Sequence, residues 1–256
     1  DLSLTAGAAL TGTDATFTAG NNLSLTAGAA MTGTNSAFTA GNNLSLTAGT
    51  SLTANNSTVT ATTGSATIQA SGGDLSMNVS TITANTSVTG TASGAMLLDA
   101  STATADTDLS LTAGAAMTGT TSTFTAGNDL SLTAGESLTA NTSTVTATTG
   151  SVTIQANGGD LSMNASTITA NTSVTGTASG AVLFDGSAAT AGTDLSLTAG
   201  AALTGTDATF TAGNDLSLTA GTSLTANDST VIATAGSATI KANGGDLSMN
   251  ASTITA

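Results

Sequence analysis

The sequence predicts an all-β fold of a particular kind, a parallel β-solenoid of about twelve three-stranded coils. Three observations carry that expectation. The text repeats every 21 or 22 residues. Within each repeat, apolar and hydroxyl side chains alternate with the period of two that marks a strand. Two positions of the repeat also change size in opposite directions, as facing positions in one narrow core must.

The repeat has two levels. DLSLTAG begins at Asp1, Asp108, Asp129, Asp194 and Asp215, and NLSLTAG at Asn22 and Asn43. GGDLSMN recurs around Asp74, Asp160 and Asp246, each 86 residues from the next. The 86 residues divide into coils of 21, 22, 22 and 21 residues, here types one to four. Residues 22–107 and 108–193 form two full sets. Residues 194–256 form a third, cut before its type-four coil, and residues 1–21 are one extra type-one coil. The chain therefore reads as a single repetitive segment, a fragment of something longer. Twelve coils at ~4.8 Å each predict a length of ~58 Å.

The first coil shows each element in order. Leu2, Leu4 and Ala6 point inward on a first strand, Leu10 and Gly12 on a second, and Phe17 and Ala19 on a third. Ser3, Thr5, Thr11, Thr13, Thr16 and Thr18 fill the outward positions. Gly7-Ala8 and Gly20-Asn21 supply turns. Three such strands in about 21 residues make one solenoid coil. The chain has no proline, and every strand interior needs its N–H for the ladder. The Gly-Gly pairs at 72–73, 158–159 and 244–245 absorb the extra residue of the 22-residue type-three coil. Asn21, Asn42 and Asn128 follow Gly at one corner, where side-chain amides are expected to stack between coils.

The register is checked by side-chain volume. Type-one coils pair Gly12 with Phe17, Gly33 with Phe38, Gly119 with Phe124 and Gly205 with Phe210. Type two pairs Ala54 with Val59, and type three pairs Met77 with Ile82. Type four pairs Leu98 with Ala103 and Phe184 with Ala189. Close packing keeps the volume of each layer nearly constant, so these positions should face each other.

Composition removes several functions. The chain has no Cys, no His, and Lys241 as its only cation, against 15 acidic residues. There is no disulfide, thiolate or imidazole chemistry, and phosphate backbones are repelled, so no nucleic-acid partner is expected. No apolar run approaches the ~20 residues of a membrane helix. Hydrophobic residues reach 39% and mean hydropathy is +0.27, which argues against a solvated disordered chain. No enzyme is expected. Almost every carboxylate is a translational copy, as Asp74, Asp160 and Asp246 are. The single additions Glu136 and Lys241 lie about five coils, or roughly 24 Å, apart.

DLSLTAG and NLSLTAG, recurring about every 21 residues, resemble the N-L-x-L-x-A-G repeats of filamentous-haemagglutinin-type exoproteins. The resemblance covers the whole chain. It implies a right-handed parallel β-helix forming the shaft of a giant secreted bacterial surface protein, often an adhesin, placed outside the cell or on its surface. LTAG is also similar to repeats of bacterial ice-nucleation proteins, but this chain lacks their Tyr ladder.

Four sets of residues are candidates for function. Thr16, Thr18, Thr123, Thr125, Thr209 and Thr211 lie in Thr-x-Thr arrays that would order water or bind ice, although Thr is also an ordinary exposed strand residue. No resident cofactor is expected. Asp108 over Asp129 and Asp194 over Asp215 set carboxylates about 5 Å apart, where a bridging cation such as calcium would relieve repulsion. Leu97 and Leu183 follow the alternation outward and offer a lateral contact, unless a one-residue slip turns them inward. Asn22, Asn43, Asn56, Asn85, Asn141 and Asn171 are sequons that matter only in a glycosylating host. The partners expected are copies of the chain, end to end and side by side, and an unidentified surface target.

Overall fold

The computed structural model describes residues 1–256 and is a parallel β-solenoid of twelve coils with no helix. Each coil carries three short strands. In the first they are β1 (Leu2–Ala6), β2 (Leu10–Thr13) and β3 (Thr16–Ala19). The pattern continues to β34 (Ala238–Ala242), β35 (Leu247–Asn250) and β36 (Thr253–Thr255). The chain divides into two compact units, Asp1–Gly127 and Asn128–Ala256, each of six coils. In each unit the first, second and third strands of successive coils form three separate parallel sheets. The coil itself is the crossover that parallel strands require.

The register follows the sequence repeat residue for residue. Leu23 pairs with Leu44 and Leu25 with Leu46, and Leu195 pairs with Leu216. The 22-residue coils keep register because their additional residues fall in corners, so Ala66 still pairs with Leu44 and with Val88. Alternation then fills one interior. Leu23, Leu25, Leu52, Met77, Ile82 and Phe124 are all buried, while the Ser and Thr residues between them face out.

The expected facing of the two variable positions is borne out. A Cβ on Gly33 would lie 2.9 Å from Cζ of Phe38, and one on Gly205 would lie 3.2 Å from Cε2 of Phe210. Phe184 from a second strand meets Phe210 from a third strand of the next coil edge to face, with centroids 5.2 Å apart. Phe17 and Phe38 stack along the third sheet at 5.3 Å. A third compensating position was not read from the sequence. Type-four coils carry Gly90 and Gly176 where other coils have Leu or Ile on the first strand. The vacated volume is taken by neighbours, since a Cβ at Gly90 would sit 2.7 Å from Cδ2 of Leu111 and 3.7 Å from Cε of Met96. Glycine is therefore needed there because Met96 and Leu98 bring extra bulk to the same layer.

Leu98→Ala should open a cavity beside Ala103 and destabilise the chain by about 2–5 kcal/mol. Adding Ala103→Leu should restore part of that loss in urea denaturation. A double variant equal to the sum of its singles would show that the two sites do not share a layer.

Candidate functional site

The corner between the second and third strands is the most regular polar feature. Every coil places one residue there in the left-handed region, from Asp14 (φ 51°) and Asn35 (φ 49°) to Ala251 (φ 48°). Asn and Asp tolerate this conformation, whereas Val79 (φ 49°) is β-branched and strained. The next residue is a buried serine in most coils, Ser36, Ser57, Ser80, Ser101 and Ser122 in the first unit. Each Oγ accepts a backbone N–H from the preceding coil, as Ser80 Oγ does from Ser57 N (3.1 Å). The same hydroxyl points between two carbonyls, those of Ala54 and Asn78, each at 2.9 Å. The serine column satisfies the turn's donors without water, and no buried side-chain polar atom lacks a partner. The recurring Ser at one repeat position was the available signal for it.

The corner leading into the first strand explains the repeated carboxylates. Asp194 Oδ1 accepts the N–H of Asp215 (3.1 Å) and the side-chain amide of Asn214 (3.1 Å). Asp215 Oδ1 in turn accepts Ser237 N (2.8 Å), and Asp129 Oδ1 accepts Ser151 N (2.8 Å). Asp74 and Asp160 do the same for Ala95 and Ala181 at another corner. Charge-assisted bonds to backbone N–H groups thus meet the Asp194 and Asp215 carboxylates, which the sequence had paired for a bridging cation. Asp108 and Asp129 lie in different units. No group of three or more acidic side chains is arranged to hold a metal ion.

Asparagine amides link coils at a second corner besides the Gly-Asn corner where Asn214 donates to Asp194. Asn35 donates to Asp14 (3.1 Å) and Asn56 to Asn35 (2.9 Å), along the left-handed corner. Asn21 and Asn42 are joined instead through backbone, Asn42 N to Asn21 O. The sequons Asn22 and Asn43 use their side-chain oxygens to accept the N–H groups of Asn43 and Ser65.

The three outer faces differ more than the sequence suggested. In the first unit the outward positions of the third strands hold Thr at 11 of 12 places, interrupted by Ala37. The first and second strands hold Thr at 7 of 12 each, mixed with Ser, Gln, Asn, Asp and Leu. In the second unit the third sheet has 10 of 12, with Ala188 and Ile232 as exceptions. Thr16, Thr18, Thr123 and Thr125 lie on this face of the first unit, and Thr209 and Thr211 on that of the second. No charge interrupts the face in either unit. Its hydroxyls recur at ~4.8 Å between coils and about 6.6 Å along each strand.

Leu97 and Leu183 do point outward. They lie on β14 (Met96–Asp99) and β26 (Val182–Asp185), 42% and 38% exposed. Leu97 pairs with Ser76 and Thr118, and Leu183 with Ser162 and Thr204, which settles the register.

One place breaks the repeat within a concavity. A shallow cleft of about 240 Å³ is lined by Thr60, Thr62, Thr83, Asn85 and Asp106 over Ala61 and Ala84. Asp106 stands where the next super-repeat has Gly192. The cleft offers one carboxylate, one amide and hydroxyls, with no base or nucleophile pair, and is smaller than the roughly 300–1,000 Å³ of ordinary small-molecule sites.

Comparison of the chain with family models gives no match, and comparisons with curated proteins and with solved structures give none either.

The serine column has one internal defect. Ala208 occupies the position that would accept the Ser187 N–H, and its coil still provides the Thr206 carbonyl that a hydroxyl would reach. Ala208→Ser should raise stability by about 1 kcal/mol in chemical denaturation. No gain, or a loss, would mean the hydroxyl is not what the corner lacks.

Proposed function

We propose that this chain is a length of structural shaft, a β-solenoid filament or adhesin stalk carried on or released from a bacterial surface. One observation carries the proposal: the core exists only where coil covers coil. Leu25, Leu161 and Ile168 are at most 1% exposed, and each is covered by its equivalents one coil before and one coil after. Each coil is thus stabilised by its neighbours, and further coils extend the same ladder. Several of the repeated carboxylates, those of Asp74, Asp129, Asp160, Asp194 and Asp215, accept backbone N–H groups of the next coil, which supports a structural part for them. A surface with one Lys and no Arg also offers almost nothing to proteases that cut after cations. Copies of the chain stacked end to end would continue the same ladder. Leu97 and Leu183 supply apolar points for side-by-side association.

A second reading is favoured by the third sheet alone. An uncharged array of threonine hydroxyls and methyls recurring at two spacings is suited to holding ordered water or an ice lattice.

The polypeptide of residues 1–256 should grow into elongated particles with rising concentration, followed by light scattering and electron microscopy. Leu4→Asp with Leu247→Asp should shorten them, because a charge at an open edge opposes strand addition. Leu97→Asp with Leu183→Asp should separate bundles while circular dichroism stays unchanged. A monodisperse monomer at high concentration would overturn end-to-end assembly.

For the second reading, thermal hysteresis or a raised freezing temperature should be measurable in the unmodified chain. It should disappear when Thr18, Thr125 and Thr211 are replaced by Lys. Absence of either effect in the unmodified chain retires ice as the ligand.

A further inference from the structure

Type-three coils turn from their first to their second strand through a corner one residue longer than the others. In a 21-residue coil both leading N–H groups of this corner stay in the ladder: Gly28 N donates to Ala6 O (2.8 Å) and Ala29 N to Ala8 O (3.0 Å). In the longer corner only the first does. Asn157 N donates to Ala134 O (2.9 Å) and Asn243 N to Ala220 O (3.0 Å), but the N–H groups of Gly158 and Gly244 have no partner. Asn157, Gly158, Asn243 and Gly244 are all exposed, and neither Asn side chain is hydrogen-bonded. The inserted residue has therefore pulled one backbone amide out of the ladder, immediately after an asparagine.

From this arrangement we propose that Asn157 and Asn243 are sites of spontaneous deamidation and backbone isomerisation, with water as the co-reactant. The Gly158 nitrogen attacks Cγ of Asn157, a nitrogen–carbon bond closes a five-membered imide, and the Cγ–Nδ2 bond breaks. Ammonia leaves with the proton that the Gly158 nitrogen loses. One water then adds to either imide carbonyl and opens the ring to aspartate or to isoaspartate. The nucleophile must be an amide that is neither bonded nor shielded. Glycine meets both needs, having no Cβ to block the approach and the widest choice of backbone angles. Every other asparagine in the chain precedes a residue with a side chain. The first super-repeat has the same corner but carries Ser71, which has no amide to lose.

The change adds a carboxylate to a corner that already contains Asp160 and rests on Glu136, whose Cα is 3.5 Å from where a Gly158 Cβ would be. Both events together take the net charge from −14 to −16. Because the reacting bonds lie in the corner and outside the strands, the ladder on either side is preserved. A shaft exposed for long periods would thus carry a covalent record of its age at one repeated corner.

The test is mass spectrometry of the intact 256-residue chain after warm incubation in mildly alkaline and mildly acidic buffer, followed by digestion beside aspartate. Peptides containing Asn157 and Asn243 should gain one dalton at least about tenfold faster than any other asparagine peptide. The rate should rise with pH, one oxygen should come from labelled water, and the product should accept methyl groups from an isoaspartate methyltransferase. Asn157→Ser, the residue of the first super-repeat, should abolish the change at that corner and leave Asn243 reacting, with circular dichroism unchanged. If Asn157 and Asn243 convert no faster than Asn42 or Asn141, or if no solvent oxygen is incorporated, the proposal fails.

Discussion

Every strand in this protein lies in register on its equivalent one coil away, and that backbone ladder constrains everything else. A ladder of this kind repeats the same cross-section at each step, so no coil can widen or narrow without breaking hydrogen bonds. The interior must then hold nearly the same side-chain volume in each layer. Phenylalanine on the third strand requires glycine on the second, as at Gly33 and Phe38. When leucine or phenylalanine occupies the second strand, the third falls to alanine and the first to glycine, as at Leu98, Ala103 and Gly90. Three positions share one fixed volume.

The same constraint assigns the polar residues. Many donors and acceptors at the corners are met by side chains in columns. Serine fills the buried corner, and Asp or Asn fills the exposed ones. Most of the negative charge that makes this chain so acidic recurs in the repeat, and several of those carboxylates accept a neighbouring coil's N–H. The outer faces are free of the volume rule and could diverge, yet only the third sheet became almost purely threonine. The second sheet carries Leu97 and Asp99 in the first unit and Leu183 and Asp185 in the second.

Function in such a molecule is expected where the repeat adds something that the ladder does not need. Leu97 and Leu183 add outward apolar surface, Asp106 adds a carboxylate at a cleft, and Asn157 and Asn243 add an amide beside an unbonded glycine nitrogen. None of these assembles a nucleophile with a base. The additions suit contact and association, which the proposed shaft would use.

The sequence by itself determined the fold class, the coil boundaries and the facing of positions such as Gly205 and Phe210, because a strict repeat with period-two alternation leaves one register that puts the recurring Leu-x-Leu-x-Ala positions inside. It also marked Leu97 and Leu183 as outward, although a slip by one residue was equally readable until Ser76 and Thr118 were found beside Leu97. Tertiary structure alone decided the rest. Gly90 reads locally as a weak point in a strand, and only the neighbouring Leu111 and Met96 show that it makes room. Ser80 reads as one more surface hydroxyl, and only the corner's left-handed turn places it inside against three backbone groups. Asp194 and Asp215 read as repelling neighbours, and only the direction of their side chains shows that each meets an N–H of the next coil. In each case at least one deciding partner, Leu111 for Gly90, Ser57 for Ser80 and Asp215 for Asp194, is 21 to 23 residues away in sequence and one coil away in space, a relation that alternation within a strand does not encode.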